Sequence, residues 1–344
     1  MADVARIAGV STTTVSHVLN KTRKVAHETE ELVRQALEST GYRHNLAARA
    51  LATQSTDTIG LAMAVVTNPY FAALVKSIEQ QLRAAGFTLV LADTNDDPNV
   101  ELDVINHLLE RRVSGLIVLP LEGSPPLNRC LQDLLDQHFP LVFLDRRSPL
   151  KCDQVFSECV VSTHKLTSHL ASLGHTRIGF VRGAAGSTSS EDRLGGYLKA
   201  VDDLKLAKGA DLIIDGESDE AVAEKAVARY FSTAKEPVTA LVITNNQMTL
   251  GTLRALKRCG LKVPHDIALA CYDDFEWADL FDPQITTMAQ NSVALGDNVV
   301  ELLLARIADP SRSPQTVVIP TSFQHRDSCG CGRRKNRGLQ KESR

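Results

Sequence analysis

The chain has 344 residues, 43% hydrophobic and 23% charged, with a net charge of -3. That length holds two or three domains, and the composition is that of a globular protein rather than a disordered or fibrous one. No apolar run approaches the ~18 residues of a membrane helix and no apolar h-region follows the N-terminus, so neither a spanning segment nor a secretory leader is expected.

Seven cysteines, an odd number without framework spacing, fit a reducing compartment, and a cytoplasmic protein is expected. The only close pair, Cys329-Gly330-Cys331, reads as a polar C-terminal turn, because no histidine or second cysteine pair is counted beside it to complete a tetrahedral site. No metal and no cofactor are expected. The net charge hides a segregation. Residues 1–56 carry seven Lys/Arg against five Asp/Glu, residues 333–344 carry six against one, and the middle is left at -10. A basic head on an acidic body suits nucleic-acid binding by the head alone.

Residues 1–56 contain no strand pattern and three short helical ones. Val4, Ile7 and Ala8 mark the first helix, Val15, Val18 and Leu19 the second, and Leu32, Val33, Ala36 and Leu37 the third. Gly9 separates the first two, Ser11 caps the second, and Gly41 ends the third. Helix, tight turn, helix is the geometry that sets the start of a second helix against base edges in a major groove. In "STTTVSHVLN", Thr12, Thr13, Thr14, Ser16 and His17 are the short hydrogen-bonding groups suited to that place. The bland reading is a surface helix of poor propensity, since adjacent β-branched threonines lose side-chain freedom in a helix.

From Thr58 onward, strand-length apolar runs alternate with amphipathic helical patterns, as in parallel sheets built from βαβ units. Strands are predicted over 58–65, 88–94, 115–120, 141–145, 178–183, 211–215, 240–244 and 267–273, and a helix over 71–85 closed by Gly86. Eight units fit either an eight-stranded barrel or two doubly wound subdomains. No G-x-G-x-x-G, G-x-x-x-x-G-K-[ST] or G-x-S-x-G motif follows a strand, so an enzyme is disfavoured.

The stretch "STTTVSHVLNKTRKV" resembles the headpiece of the LacI/GalR family of bacterial transcription regulators, in particular its purine-responsive members, and the likeness runs to about Cys329. It implies an α plus α/β architecture: a helix-turn-helix headpiece, then a periplasmic-binding-protein-like body of two doubly wound parallel-sheet subdomains. The implied boundaries are 1–44 for the headpiece, 45–57 for a hinge helix, and 58–330 for an effector-binding and dimerisation core. Within the core, one subdomain takes about 58–156 and 287–318 and the other about 157–286 and 319–330, leaving a basic, disordered tail over 331–344. Members usually carry several residues before "DVA", so an earlier start than Met1 is expected, and His44 stands where proline is common.

By the same resemblance Thr12, Thr13, His17 and Arg23 read bases, while Thr14, Ser16, Asn20, Lys21 and Lys24 meet phosphates. In the hinge, Leu51 is the minor-groove wedge, with Asn45 as cap and Ala48 among the small residues that let two copies approach. Effector contacts are expected beyond the strand ends, at Tyr70, Phe71, Arg146, Ser187, Ser189, Arg193, Asn245, Asp273 and Trp277. Asp145 and Asp273 could instead be plain helix caps. Purine-responsive members present an arginine and a threonine where this chain has Ser187 and Ser189, which favours a sugar or sugar acid.

The resemblance therefore implies a repressor on pseudopalindromic operator DNA, associated with the nucleoid and controlled by a carbohydrate-like effector. It implies a homodimer, since "RRKNRGLQKESR" holds only Leu339 of a tetramerising leucine heptad. The alternatives are an α/β enzyme or a solute-binding protein with a helical appendage.

Overall fold

The computed structural model describes residues 1–20, 23–41, 56–64, 68–121 and 124–331, with only the backbone of 19 and 20. The chain divides into two units, Met1–Thr56 and Asp57–Arg344. Lys21, Asn45, Ala48, Leu51, the side chain of Asn20 and the tail beyond 331 lie outside the described residues. Among those residues no helix is long and apolar enough to cross a membrane.

In the first unit α1 (Ala2–Ala8) ends at Gly9, whose φ of 66° is the left-handed conformation that glycine adopts without steric cost. Helix α2 (Thr12–Asn20) follows at once, and the Thr14 amide donates to Ser11 Oγ at 3.0 Å, so Ser11 is the cap that its position predicts. Helix α3 (His27–Thr40) stops at Gly41, again left-handed. Val4, Ala5, Ala8, Val15, Val33 and Ala36 form the core, with Val10, Val18 and Leu37 at its edge. Ile7 and Leu32, expected on the inner stripes, are instead 53% and 51% exposed. On α1 the buried stripe runs through Val4, Ala5 and Ala8, and Ile7 falls outside it.

The second unit contains two six-stranded sheets rather than an eight-stranded barrel. The strands in chain order are β1 (Thr58–Met63), β2 (Thr88–Asp93), β3 (Gly115–Val118), β4 (Leu141–Leu144), β5 (Asp153–Ser157), β6 (Ile178–Arg182), β7 (Ile213–Asp215), β8 (Ala240–Ile243), β9 (Ala268–Tyr272), β10 (Thr287–Ala289), β11 (Thr316–Ile319) and β12 (Ser322–Gln324). The first sheet has the order β11-β5-β4-β3-β1-β2 and the second β12-β10-β9-β8-β6-β7. Every pairing is parallel except β10 with β12. The matching order makes the two lobes repeats of one plan, in which β4 of the first corresponds to β9 of the second.

Helices cover both faces of each sheet, as parallel strands buried on both sides require. In the first lobe α4 (Pro69–Ala84) packs on one face with a helix from late in the chain, Ser292–Ala308, while α5 (Pro98–Glu110) and α6 (Pro125–Asp136) cover the other. Gly296 makes the first of these crossings close: a Cβ there would come within 2.6 Å of Ser77 Cβ. In the second lobe α7 (Val160–Ser172) and α8 (Thr188–Asp203) cover one face, and α9 (Glu220–Thr233) and α10 (Asn246–Arg258) the other. The late helix of the first lobe is α11.

The chain crosses between lobes after β5, after β10 and after β11. The middle crossing therefore follows Ala289 and is not at 287, because Thr287 and Met288 pair with Cys271 and Tyr272 and Met288 enters the second lobe's core. The run at 211–215 is strand only from Ile213, its start being a 3-10 turn over Ala210–Leu212.

Candidate functional site

In the headpiece, Thr12 and Thr13 stand exposed at the start of α2, while Val15 beneath them is fully buried. Thr14, Ser16 and His17 are half-buried along the same helix, and Arg23 and Lys24 are exposed beyond it. Thr14 is partly committed: its hydroxyl shares a 2.9 Å hydrogen bond with Ser11 Oγ. The outer face of α2 thus offers hydroxyls and an imidazole, with cations beyond its end, on a helix anchored from within.

The second site lies between the lobes of the body, beyond the carboxyl ends of β1, β4, β6, β8, β9 and β10. Eight of the nine effector residues predicted from sequence line it: Tyr70, Phe71, Arg146, Ser187, Ser189, Arg193, Asn245 and Asp273. Asn68, Asp96, Asp145, Ser190, Ser218 and Gln290 complete the wall. Trp277 does not. It packs against Phe275 and Phe281, at ring separations of 4.6 and 5.8 Å, in an adjoining pocket that shares Tyr70, Asp273 and Gln290 with the cleft. Its closeness in sequence to Asp273 is undone by the turn after β9, which sends the aromatic segment onto the second lobe's core.

The two aspartates hold equivalent places. Asp145 follows β4 with φ 65° and Asp273 follows β9 with φ 70°, left-handed conformations that non-glycine residues seldom adopt. Neither caps a helix following its own strand, since β4 leads to β5 and β9 to β10. Tyr70 donates its hydroxyl to Asp145 Oδ1 at 2.6 Å, and Gln290 donates Nε2 to Asp273 Oδ1 at 2.6 Å. Asn245 does cap its helix, accepting from the Met248 amide at 2.7 Å, yet it still lines the cleft. Asn68 caps α4 and also accepts from Asn246 Nδ2 at 2.8 Å, which joins the two lobes.

Arg193 lies within helix α8, which runs on through the glycine pair that follows it. Gly196 allows α8 to sit directly on the backbone of Val160. Arg193 is 7% exposed, donates Nη1 to the Thr244 carbonyl at 2.7 Å and lies 4.0 Å above the Tyr272 ring. Its Nε has no hydrogen-bond partner. Arg146, equally buried, has Nη1 2.7 Å from Asp96 Oδ1, an ion pair out of line for a hydrogen bond, so that both of these atoms and Nε are left without one. Two buried guanidinium groups with unused N–H bonds want acceptor oxygens.

Burial disfavours the charge on Arg193, but its neighbours, Asp273 and Asp145 among them, outweigh this and keep it cationic. Burial pushes the Asp273 carboxyl up, and Arg193 opposes the shift. Burial, then the Asp145 charge, raises Tyr70 well above the ordinary phenol, so it stays a neutral donor. Glu101 is fully buried near Arg146, and burial lifts its carboxyl to about 8. Glu158, just after β5, spends its carboxylate on the start of α7, accepting from the amides of Val161 and Ser162 at 2.6 and 2.7 Å.

The free volume of the cleft is about 50 Å3. That is well below the roughly 300 to 1,000 Å3 of a small-molecule site. The lobes are held together by the Asn68–Asn246 bond, by Arg147 Nε on Asp192 at 2.8 Å and by Thr188 Oγ1 on the Arg147 carbonyl at 3.1 Å.

One sequence expectation concerning metals is corrected. His169, His325 and Cys329 lie with their donor atoms within 4.8 Å of one another, so histidines do stand beside the Cys329-Gly330-Cys331 pair. His325 stands four residues before Cys329 in the sequence, whereas His169 arrives through the packing of α7.

A helix-turn-helix unit followed by a two-lobed α/β body with a polar cleft between its lobes defines a DNA-binding regulator. Residues 1–45 match the family model described as bacterial regulatory proteins, lacI family, and residues 167–329 match the periplasmic binding protein-like domain. The chain is 36% identical over 310 residues to the HTH-type transcriptional repressor PurR of Vibrio campbellii, covering 89% of this chain and 91% of that protein. Its fold is similar to the lac repressor dimer bound to operator and the anti-inducer ONPF, with a TM-score of 0.85 and 27% identity over 95% of this chain and 98% of that one. It also resembles the transcriptional regulator CelR in complex with cellobiose, at a TM-score of 0.72 and 27% identity over the same shares. The protein belongs to the lacI family of bacterial regulatory proteins and is a DNA-binding transcriptional regulator.

Proposed function

We propose that this regulator is a cytoplasmic, nucleoid-associated repressor, which binds a pseudopalindromic operator as a homodimer and is controlled by a carbohydrate-like effector in the cleft between its lobes. The observation that carries the ligand reading is the pair of buried guanidinium groups with unused N–H bonds, Arg146 and Arg193, facing a wall that also holds Asp145, Asp273 and Asn245. Guanidinium donors with carboxylate and amide acceptors match the alternating donors and acceptors of sugar hydroxyls or a sugar acid. Cellobiose bound to the related CelR supports the class. Ser187 and Ser189, hydrogen-bonded to each other at 3.0 Å, add two short hydroxyls to the same wall.

Thr12, Thr13, His17 and Arg23 are the residues proposed to read bases, with Thr14, Ser16, Asn20, Lys21 and Lys24 at phosphates and Leu51, Asn45 and Ala48 at the minor groove. Two half-sites on a duplex need two heads, which is the argument for a dimer, and the lac repressor dimer on operator supports it. Because about 50 Å3 cannot admit a sugar, ligand entry requires the lobes to part, at the expense of the Asn68–Asn246 and Arg147–Asp192 contacts. The effector then acts by shifting the population between closed and parted bodies.

The test is a thermal-shift panel of sugars, sugar acids and nucleobases. A true effector at 100 times its dissociation constant adds about 2.7 kcal/mol of stability. Arg193→Lys, which keeps the charge but loses the planar stack on Tyr272, should lose most of that shift and still bind operator. A full shift in that variant places the ligand elsewhere, and a response to nucleobases alone overturns the carbohydrate reading.

A further inference from the structure

The side chains of His169, His325, Cys329 and Cys331 meet on the second lobe, away from the cleft. The donor atoms of the first three lie within 4.8 Å of one another, and Cys331 Sγ lies 2.8 Å from His325 Nε2. Both thiols also point at one carbonyl, that of Arg326, at 3.3 and 3.7 Å, so the two sulfurs converge on one side of the turn. Gly330 makes this possible with a φ of 79°, a conformation an L side chain would strain. The second observation is on the opposite wall: Nε2 of His169 is buried and makes no hydrogen bond of ordinary geometry. A buried imidazole nitrogen whose neighbours are the Cys329 thiol and the His325 ring is placed to share a soft cation with them.

The cluster is held from several sides. Ser328 is fully buried, accepting from the Thr286 amide at 2.8 Å and donating to the Leu269 carbonyl at 2.9 Å. Arg326 grips Asp274 through two nitrogens, at 2.7 and 2.9 Å. The Phe323 ring lies 5.0 Å from His169 and stacks on His325 at 5.9 Å. Two imidazoles and two thiols are the donor set of a soft, tetrahedral metal ion, and preorganisation of this kind lowers the cost of assembling it.

We propose that His169, His325, Cys329 and Cys331 form a Zn2+ site that staples the C-terminal strand segment to helix α7. Donors around tetrahedral zinc stand roughly 3.5 Å apart, given bonds of about 2.0 to 2.3 Å, so small side-chain rotations close the present spacing. Binding releases the two thiol protons, and each neutral imidazole ligates through a nitrogen lone pair. The site is independent of the cleft ligand, and the staple joins elements of the same lobe.

The experiment uses the full chain, reduced, anaerobic and stripped of metal, titrated with Co2+ as the spectroscopic probe and then with Zn2+. One equivalent of Co2+ should bring up a thiolate-to-cobalt charge-transfer band and the intense visible bands of a tetrahedral centre, both erased by Zn2+. His169→Gln, His325→Gln and Cys331→Ser should each weaken binding by at least about tenfold, the loss that even an outer-shell change can produce. Cys259→Ser, an exposed cysteine on another surface, should bind as the parent does. Saturating Zn2+ should raise the thermal midpoint of the parent but not that of Cys331→Ser. No charge-transfer band at one equivalent overturns the site, and so does binding unchanged in His169→Gln. Because Cys329 is core-packed and its replacement can unfold the lobe, the half-exposed Cys331 and the exposed His325 carry the test.

Discussion

At the scale of single residues, the cleft shows how burial rather than sequence position decides chemistry. Glu101 is an ordinary helix carboxylate by sequence, yet it has no exposed surface, and one of its oxygens lacks a partner while the other accepts from Leu121 N at 3.2 Å. With its carboxyl raised to about 8, the folded state binds the Glu101 proton more tightly than the unfolded chain does. That contribution to stability is complete below the unfolded value near 4.5 and is lost as pH rises through about 8. Glu101→Gln should therefore match the parent near pH 4 and exceed its melting temperature by several degrees at pH 9. Equal melting curves at both pH values would show that Glu101 is ionised at neutral pH. On the headpiece, His17→Ala should cost ~1 to 3 kcal/mol on operator and little on random DNA, whereas Lys24→Ala should weaken both alike. Titrations on the two duplexes, at one stated salt concentration, separate these roles; equal losses for His17→Ala exclude base reading.

At the scale of elements, the boundaries most legible in sequence are those with a local cause. Gly9, Ser11 and Gly41 act where they were read, because a left-handed glycine and a capping hydroxyl work within four residues of themselves. Ser11→Ala should remove about 1 kcal/mol from headpiece stability, with denaturant melting of the isolated 1–56 fragment or of the full chain as the measure. A loss no larger than a few tenths would mean that the 2.9 Å bond to Thr14 also contributes nothing. The strands that sequence missed, β5, β10, β11 and β12, are short and rich in Thr, Ser, Gln and Asp. Their existence depends on partners: β10 becomes a strand by pairing with β9 and β12, not from any apolar run of its own. Arg193 shows the same limit, since a Gly-Gly pair looks like a break until α7 is packed against it.

At the scale of the whole body, the closing contacts set the ligand's cost of entry. Asp192 is tied to Arg147 across the cleft. Asp192→Asn should raise the population of parted bodies and so tighten effector binding several-fold, since apparent affinity scales with the competent fraction. Calorimetry with the effector found by thermal shift measures this directly. An unchanged affinity would mean that the contact forms in both states alike.

The sequence by itself determined the class of the protein and most of its cleft. Helix periodicity, caps and strand-end positions are local or periodic properties; together with the family resemblance they gave nine candidate effector residues, eight of which line the cleft. The tertiary structure alone decided the rest. Trp277 stands off the cleft wall because the turn after β9 carries it against Phe275 and Phe281. Asn68, Asp96, Ser218 and Gln290 joined it from loops with no signature of their own. The histidine and cysteine cluster depends in the same way on packing, for His169 meets Cys329 only when helix α7 lies on the second sheet. Contacts between residues distant in the chain are set by which faces pack, and no window of sequence contains that information.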